Sequence, residues 1–219
     1  MLEEREPGTW VTDASANERH AIQDALEYAC RNGRVEAAAF LLERGADVEG
    51  SGFFGASPLH WAAGQGTPEM VRFLLSRGAD AERRDPTFDA TPFGWAAEHR
   101  KEDNLRVLRE HGYRPDVWEA ACAGYLDIVK EWIDHSRPLL DAVRWGTPLA
   151  EASAWNRPEV VRWLLGEGAD LDVATKDGKS PQEVAREQGH HAIVAMLERV
   201  AARTPLSTFR REVTTSLTV

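Results

Sequence analysis

An all-α chain of about six stacked helix-turn-helix units is the fold this sequence predicts, and three observations predict it. A phrase recurs: Ser57-Pro58-Leu59-His60-Trp61-Ala62-Ala63, then Glu69-Met70-Val71-Arg72-Phe73-Leu74-Leu75 and Gly78-Ala79-Asp80, returns as Thr147-Pro148-Leu149-Ala150-Glu151-Ala152, then Glu159-Val160-Val161-Arg162-Trp163-Leu164-Leu165 and Gly168-Ala169-Asp170. Its spacing is regular, with Gly45 to Gly78 at 33 residues, Gly78 to Gly112 at 34, Pro58 to Pro92 at 34 and Pro148 to Pro181 at 33. Each recurrence carries its own helix start and stop signals, Ser or Thr before Pro and Gly after the Leu-Leu pair. A fixed period of this size marks an array in which a unit buries its apolar face only against its neighbours.

Taken in order, each element has a physical reason. Pro at the first helical position has a preset φ and needs no N–H donor there, so Ser57, Thr91, Thr147 and Ser180 open short first helices. Ala62-Ala63, Ala96-Ala97 and Ala120-Ala121 keep bulk off that helix and let it lie close to the next repeat. The Leu-Leu pairs, with Val71 and Val161 one turn earlier, form the apolar stripe of the second helix, which is core. Gly45, Gly78, Gly112 and Gly168 follow the last periodic residues, where a left-handed cap suits a residue without Cβ.

The Thr/Ser-Pro-Leu-x-x-Ala-Ala and Leu-Leu-x-x-Gly-Ala-Asp phrases make the chain similar to the ankyrin-repeat family over residues 18 to about 202. The resemblance implies a solenoid of helix pairs joined by short β-hairpin-like turns, and 33 residues per unit fits it better than the 34-residue tetratricopeptide pattern. The expected units are 15–50, 51–84, 85–112, 113–140, 141–174 and 175–203. An N-terminal arm over 1–14 precedes them and a C-terminal tail over 204–219 follows. Ser15-Ala16-Asn17-Glu18 has capping-box form and opens a helix through about Cys30, in a first repeat that lacks the Thr-Pro start. The fourth unit is shortened, because Ala97 and Ala121 stand only 24 residues apart, too few for a full finger. Arg186 and Glu198 put polar side chains where the sixth unit would otherwise be apolar, as a solvent-facing terminal repeat requires.

Composition agrees with one elongated domain: 219 residues, 42% hydrophobic, can bury a sizeable core. Cys30 and Cys122 sit at equivalent places in different repeats, so a disulfide is not expected and a reducing compartment is. The charged N-terminus and the lack of a long apolar run predict a soluble, cytoplasmic protein. Arginine far outnumbers lysine (Lys101, Lys130, Lys176 and Lys179), which suggests a bacterial source. With 36 acidic against 26 basic residues the net charge is −10, which disfavours nucleic acid and anionic membranes and favours a neutral or basic protein or peptide partner.

Catalytic signatures fail on inspection. Gly50-Ser51-Gly52-Phe53-Phe54-Gly55 matches the dinucleotide fingerprint literally, but no βαβ context surrounds it, so it reads as an inter-repeat turn. The sequence has no phosphate-binding Gly-Lys-Ser/Thr loop, no nucleophile elbow and no His-Glu-x-x-His; His190 and His191 are adjacent and cannot share a helical face. No cofactor, metal or catalytic residue is expected. His60 holds the place of the ankyrin Thr-Pro-Leu-His histidine, for which the resemblance implies a structural hydrogen-bonding role.

The resemblance also implies that the turns and the exposed side of each first helix form a concave recognition surface. Residues after the Ala-Ala pairs reach it, among them Arg31, Asn32, Gln65, Glu98, His99 and Trp155, and the fingers add Phe53, Phe54, Phe88, Arg144 and Trp145. Aromatics in turns beside arginine are what binding hot spots favour. The expected partner-binding set is Phe53, Phe54, Gln65, Phe88, Glu98, His99, Arg144, Trp145 and Trp155. Trp61, Trp95, Trp132 and Trp163 fall in the apolar stripes and read as core, and Trp118 reads as packing into the gap left by the missing finger. The function expected is a non-catalytic, monomeric protein-interaction scaffold. Its alternative is an enzyme or small-molecule sensor with a pocket at the irregular third-to-fifth repeat junction, lined by Glu98, His99, Trp118 and Trp145.

Overall fold

A computed structural model describes residues 14–52 and 55–202, and within them the chain is helical, with twelve α-helices and no strand. The helices come in six pairs: α1 (Ala14–Arg31) with α2 (Val35–Glu43), α3 (Pro58–Gly64) with α4 (Pro68–Ser76), and α5 (Pro92–Glu98) with α6 (Glu102–Glu110). Then come α7 (Val117–Ala123) with α8 (Leu126–His135), α9 (Pro148–Ala154) with α10 (Pro158–Gly166), and α11 (Pro181–Glu187) with α12 (His191–Ala201). Packing divides the chain between Pro115 and Asp116 into two compact units of three pairs each. In the first, α1, α3 and α5 lie side by side with α2, α4 and α6 behind them; in the second, α7, α9 and α11 form the front row and α8, α10 and α12 the back.

The small residues do what their size allows. Ala62, Ala63, Ala96 and Ala97 are fully buried between neighbouring front helices, while Leu74, Leu105 and Leu108 fill the space behind them. In the second unit Ala120, Ala121 and Ala152 play the first role and Val129, Val161 and Leu164 the second. Each fully buried aliphatic side chain of this kind contributes roughly 1.5–3 kcal/mol of transfer free energy.

Helix ends follow the sequence signals. Thr67, Thr91 and Thr147 hydroxyls accept the N–H groups of Met70, Gly94 and Ala150. Asp116 and Glu119, and Ser180 and Glu183, form reciprocal capping boxes. At the other ends Gly45, Gly78, Gly112 and Gly168 all have positive φ. The next residue closes each cap by donating back to the helix, as Ala46 does to the Leu41 carbonyl and Ala79 to Leu74. The Asp of Gly-Ala-Asp then starts the following turn: Asp47, Asp80 and Asp170 carboxylates accept the N–H two residues on.

Three expectations change in detail. Helix α1 already includes Ala14, so Ser15 lies inside it rather than capping it. The fourth pair is of ordinary helix length, and its shortening lies wholly in the connection 111–116, which stands where 77–91 joins the preceding pairs. After α8 a 3-10 turn, Arg137–Leu140, takes part of the next connection. The fingers are turns without strand pairing, closed by single bonds such as Asp85 N–H to the Ala90 carbonyl and Thr175 N–H to the Lys179 carbonyl. Most of the arm expected over 1–14 and all of the tail over 204–219 lie outside the described residues, as do Phe53 and Phe54.

Neighbouring repeats are tied by polar side chains as well as by packing. Asn104, buried in α6, donates to the Ala62 and Ala63 carbonyls at the end of α3. In the second unit the Arg157 guanidinium donates to the Cys122 carbonyl at 2.7 Å, and the His190 ring meets the Ala154 carbonyl at 3.0 Å. Each of these supplies a donor to carbonyls at a helix C-terminus that the helix itself leaves unpaired.

Candidate functional site

The front row of the first unit carries an open groove of about 680 Å³. One wall is α1, which contributes Asp24, Glu27, Tyr28 and Arg31; spaced i, i+3, i+4 and i+7, these occupy one helical face. The floor is Trp61 of α3 and Trp95 of α5, with Gln65 at the end of α3. The far wall is Phe88 of the finger together with Glu98 and His99 at the end of α5.

Local chemistry fixes each wall. Trp61 and Trp95 are only 5% and 6% exposed, and their rings meet edge to face at 5.0 Å and 80°. Trp95 is held from below by Asp85, a fully buried carboxylate that accepts its indole N–H at 3.0 Å. The same Asp85 accepts the N–H groups of Thr87, Phe88 and Ala90, so it shapes the turn that presents Phe88. Phe88 stands edge-on to Trp95 at 6.3 Å and remains 49% exposed. His99 stacks on Trp95 at 21° and its Nδ1 lies 2.9 Å from the Trp95 carbonyl. Gly64 allows this approach, since a Cβ there would stand 3.3 Å from both the Trp95 ring and His99 Nδ1. Arg31 lies over Trp61 at 4.7 Å and donates through Nε to Gln65 Oε1.

Beneath the groove, His60 is fully buried. Its Nδ1 accepts the Ser57 N–H, which leaves Nε2 to donate to the Ala90 carbonyl at 3.1 Å. Burial holds its pKa below the usual histidine value, so the ring is a neutral tie between the second and third repeats. Cys30 is a buried thiol whose pKa burial pushes up to about 12, with Glu27 adding to it, so it is no nucleophile. The first two glycines of the Gly-x-Gly-x-x-Gly motif pack against α1: a Cβ on Gly50 would strike Gln23 and one on Gly52 the Glu27 carboxylate. Gln23 in turn bonds the backbone of Asp47 and Gly50, which makes residues 47–50 a packed turn. Among the described residues no three His, Cys, Asp or Glu gather closely enough to hold a metal ion, and no helix is long and apolar enough to cross a membrane.

Four of the sequence-selected residues, Gln65, Phe88, Glu98 and His99, therefore meet in one groove. Trp145 and Trp155 belong to the second unit. Trp145 is 39% exposed with Lys176 over its ring at 4.8 Å, and Trp155 ends α9 and donates to Glu151. Burial pushes the Glu151 carboxyl up to about 7, against its bonds from the Gly146 N–H and Trp155 and with Asp116 adding to the rise. Arg144 is engaged internally, its guanidinium paired with Asp116 at 2.5 Å and lying over Trp118. Trp118 donates to the Ala142 carbonyl, so it packs as expected. Of the four residues considered for a junction pocket, Glu98 and His99 line the groove of the first unit while Trp118 and Trp145 make these contacts within the second.

Sequence comparison meets this architecture directly. Models of ankyrin repeats match residues 22–50, 50–118 and 117–203. The chain belongs to the ankyrin-repeat family. This ankyrin-repeat chain is 38% identical over 82 residues to YahD of Escherichia coli strain K12, a protein named for its ankyrin repeats; the match covers 34% of this chain and 40% of YahD. It is 31% identical over 100 residues to the transient receptor potential cation channel subfamily A member 1 of Drosophila melanogaster, covering 43% of this chain and 8% of the channel. The chain thus spans well under half the length of either relative. Ankyrin repeats are in general protein-interaction modules, and a groove lined by front helices and a finger is where such a module offers side chains.

Proposed function

We propose that this ankyrin-repeat protein is a non-catalytic interaction module that holds a protein or peptide partner in the groove of its first unit. The observation that carries the reading is the meeting of Gln65, Phe88, Glu98 and His99 over the Trp61–Trp95 floor. Large aromatics set in a concavity with a polar rim are the residues that dominate binding energy at protein interfaces. Phe53 and Phe54, which precede α3 in the sequence, join them as proposed contacts. Trp145 and Trp155 are proposed as contacts on the second unit. A net charge of −10 favours a neutral or basic partner over nucleic acid or an anionic membrane, and the reading takes the protein as a cytoplasmic monomer.

Affinity capture from native lysate tests it, with wild type compared against the double variant Phe88→Ala/His99→Ala. Both residues are exposed, so circular dichroism should show unchanged helicity. A protein retained by wild type and released by the variant supports the groove. Equal retention by both moves the contact elsewhere on the chain.

A further inference from the structure

We propose that the partner enters the groove with a cationic side chain, a lysine or arginine, seated over the Trp61–Trp95 floor beneath Asp24 and Glu98. This deepens the docking reading above and rests on it.

Charge argues first. Asp24 and Glu98 place two exposed carboxylates at the opening, the buried Glu27 lines the groove below them, and among the described lining residues Arg31 is the one guanidinium. An anionic side chain entering there would meet like charge on both walls. A cation would be drawn in, over a distance set by the roughly 8–10 Å screening length of physiological salt.

The floor supplies the second argument. Trp61 and Trp95 meet edge to face at 80° and Phe88 stands at 68° to Trp95, with Phe88 the most exposed of the three rings that border the groove. Aromatic faces attract cations through their quadrupole, tryptophan most strongly. The molecule itself shows the preference: Arg31 lies over the Trp61 ring and its Nε donates to Gln65 Oε1. A guanidinium is therefore compatible with this floor and with the acceptor beside it. Arg31 is held on Trp61 and Gln65, on the α1 wall that it shares with Asp24, and Glu98 stands on the opposite wall. The groove volume of about 680 Å³ accommodates a long side chain and part of the backbone that carries it.

Three blocked pentapeptides test the inference on the full chain: acetyl-Gly-Gly-Arg-Gly-Gly-amide and its analogues with citrulline or glutamate at the centre. Citrulline keeps the shape of arginine without the charge. Binding is read from the indole N–H resonances of Trp61 and Trp95, assigned with single Trp→Phe variants. The arginine peptide should shift both resonances saturably and bind about fivefold or more tightly than the citrulline peptide, as a partly desolvated cation–π contact with nearby carboxylates requires. Asp24→Asn/Glu98→Gln, at two exposed helical positions, should reduce that preference to about twofold or less with the fold intact. Equal binding of the citrulline peptide, or tighter binding of the glutamate peptide, overturns the cation and leaves the groove as the docking surface. No shift with any peptide also overturns it, and the Phe88→Ala/His99→Ala capture then decides separately whether the groove docks a partner at all.

Discussion

Asp85 and Trp95 are joined by a hydrogen bond of 3.0 Å from the indole N–H to a carboxylate that is wholly buried. One residue thereby fixes both the floor of the groove and the turn that carries Phe88, because its oxygens also accept three backbone N–H groups of residues 87–90. Asp85→Ala would leave those donors buried and unmet. The expected cost is about 2–4 kcal/mol in urea unfolding, with Asp85→Asn losing less because one carbonyl oxygen remains. Amide exchange at Phe88 should quicken in both variants, and most in the alanine.

Gly66 faces backbone on two sides. A Cβ at this position would lie 2.4 Å from the Cys30 carbonyl oxygen and 2.8 Å from that of Ala62, and neither atom can rotate away. Gly66→Ala should therefore separate the first and second repeats and cost about 1–3 kcal/mol, seen as a lower midpoint with an unchanged denaturant slope. Gly78→Ala has no neighbour to strike, and its penalty should be confined to the positive φ of its cap.

Glu151 gives the second unit a pH dependence. Its folded pKa of about 7 lies above the ordinary 4.5, so between those values the folded chain binds more protons than the unfolded one. Its contribution is complete below 4.5, declines as pH rises, and is lost once pH passes 7; the span is up to about 3 kcal/mol, less for the part of the carboxyl that water reaches. The Gly146 N–H, Trp155 and Asp116 are the polar groups that act on it. The difference in melting temperature between wild type and Glu151→Gln, followed from pH 5 to about 8.5, should change in favour of the variant as pH rises; a flat difference would rule the buried acid out.

His60 acts in the opposite sense on the first unit. Burial lowers its pKa below 6.5, so the unfolded chain takes up a proton before the folded one does. Stability from this group is present above 6.5 and falls as pH drops below it. Its ring resonances should titrate at a more acid pH than those of free histidine. His60→Ala, which removes the ties to Ser57 and the Ala90 carbonyl, should cost about 2–4 kcal/mol at neutral pH.

Much of the fold was legible because the stacking itself imposes the repeat. Alanine pairs, Ser/Thr-Pro starts and Leu-Leu-x-x-Gly endings are local requirements of close-packed helix pairs, and they stand in the chain at the period of the packing. The groove was half legible. Register alone leads from Ala62-Ala63 to Gln65 and from Ala96-Ala97 to Glu98 and His99, and it places Phe88 in a finger. It assigns Trp61 and Trp95 to the core, which they are, without revealing that an indole is large enough to pack on one edge and line a groove with the other. It also passes over Asp24, Glu27 and Tyr28, since the first repeat lacks the Thr-Pro phrase; their i, i+3, i+4 spacing with Arg31 was the available signal. Asp85 escaped because its partners are a turn and an indole ten residues on, a relation that no helical period encodes. Arg144 was selected for its place in a finger, and its partner Asp116 lies 28 residues away.

The side chains that reach back from one repeat to the last carbonyls of the one before give the array a direction. Asn104 completes the end of α3, Arg157 the end of α7 and His190 that of α9, so each of these front helices is finished by its successor. Loss of the following repeat strands these front-helix carbonyl oxygens, which are fixed in the backbone, while loss of the preceding one strands the Asn104, Arg157 or His190 donor, a side chain that can swing into water. Within each unit the two ends of the front row are consequently unequal places to cut, graft or extend: a new repeat added downstream must bring the donor, and one added upstream need only offer the oxygen.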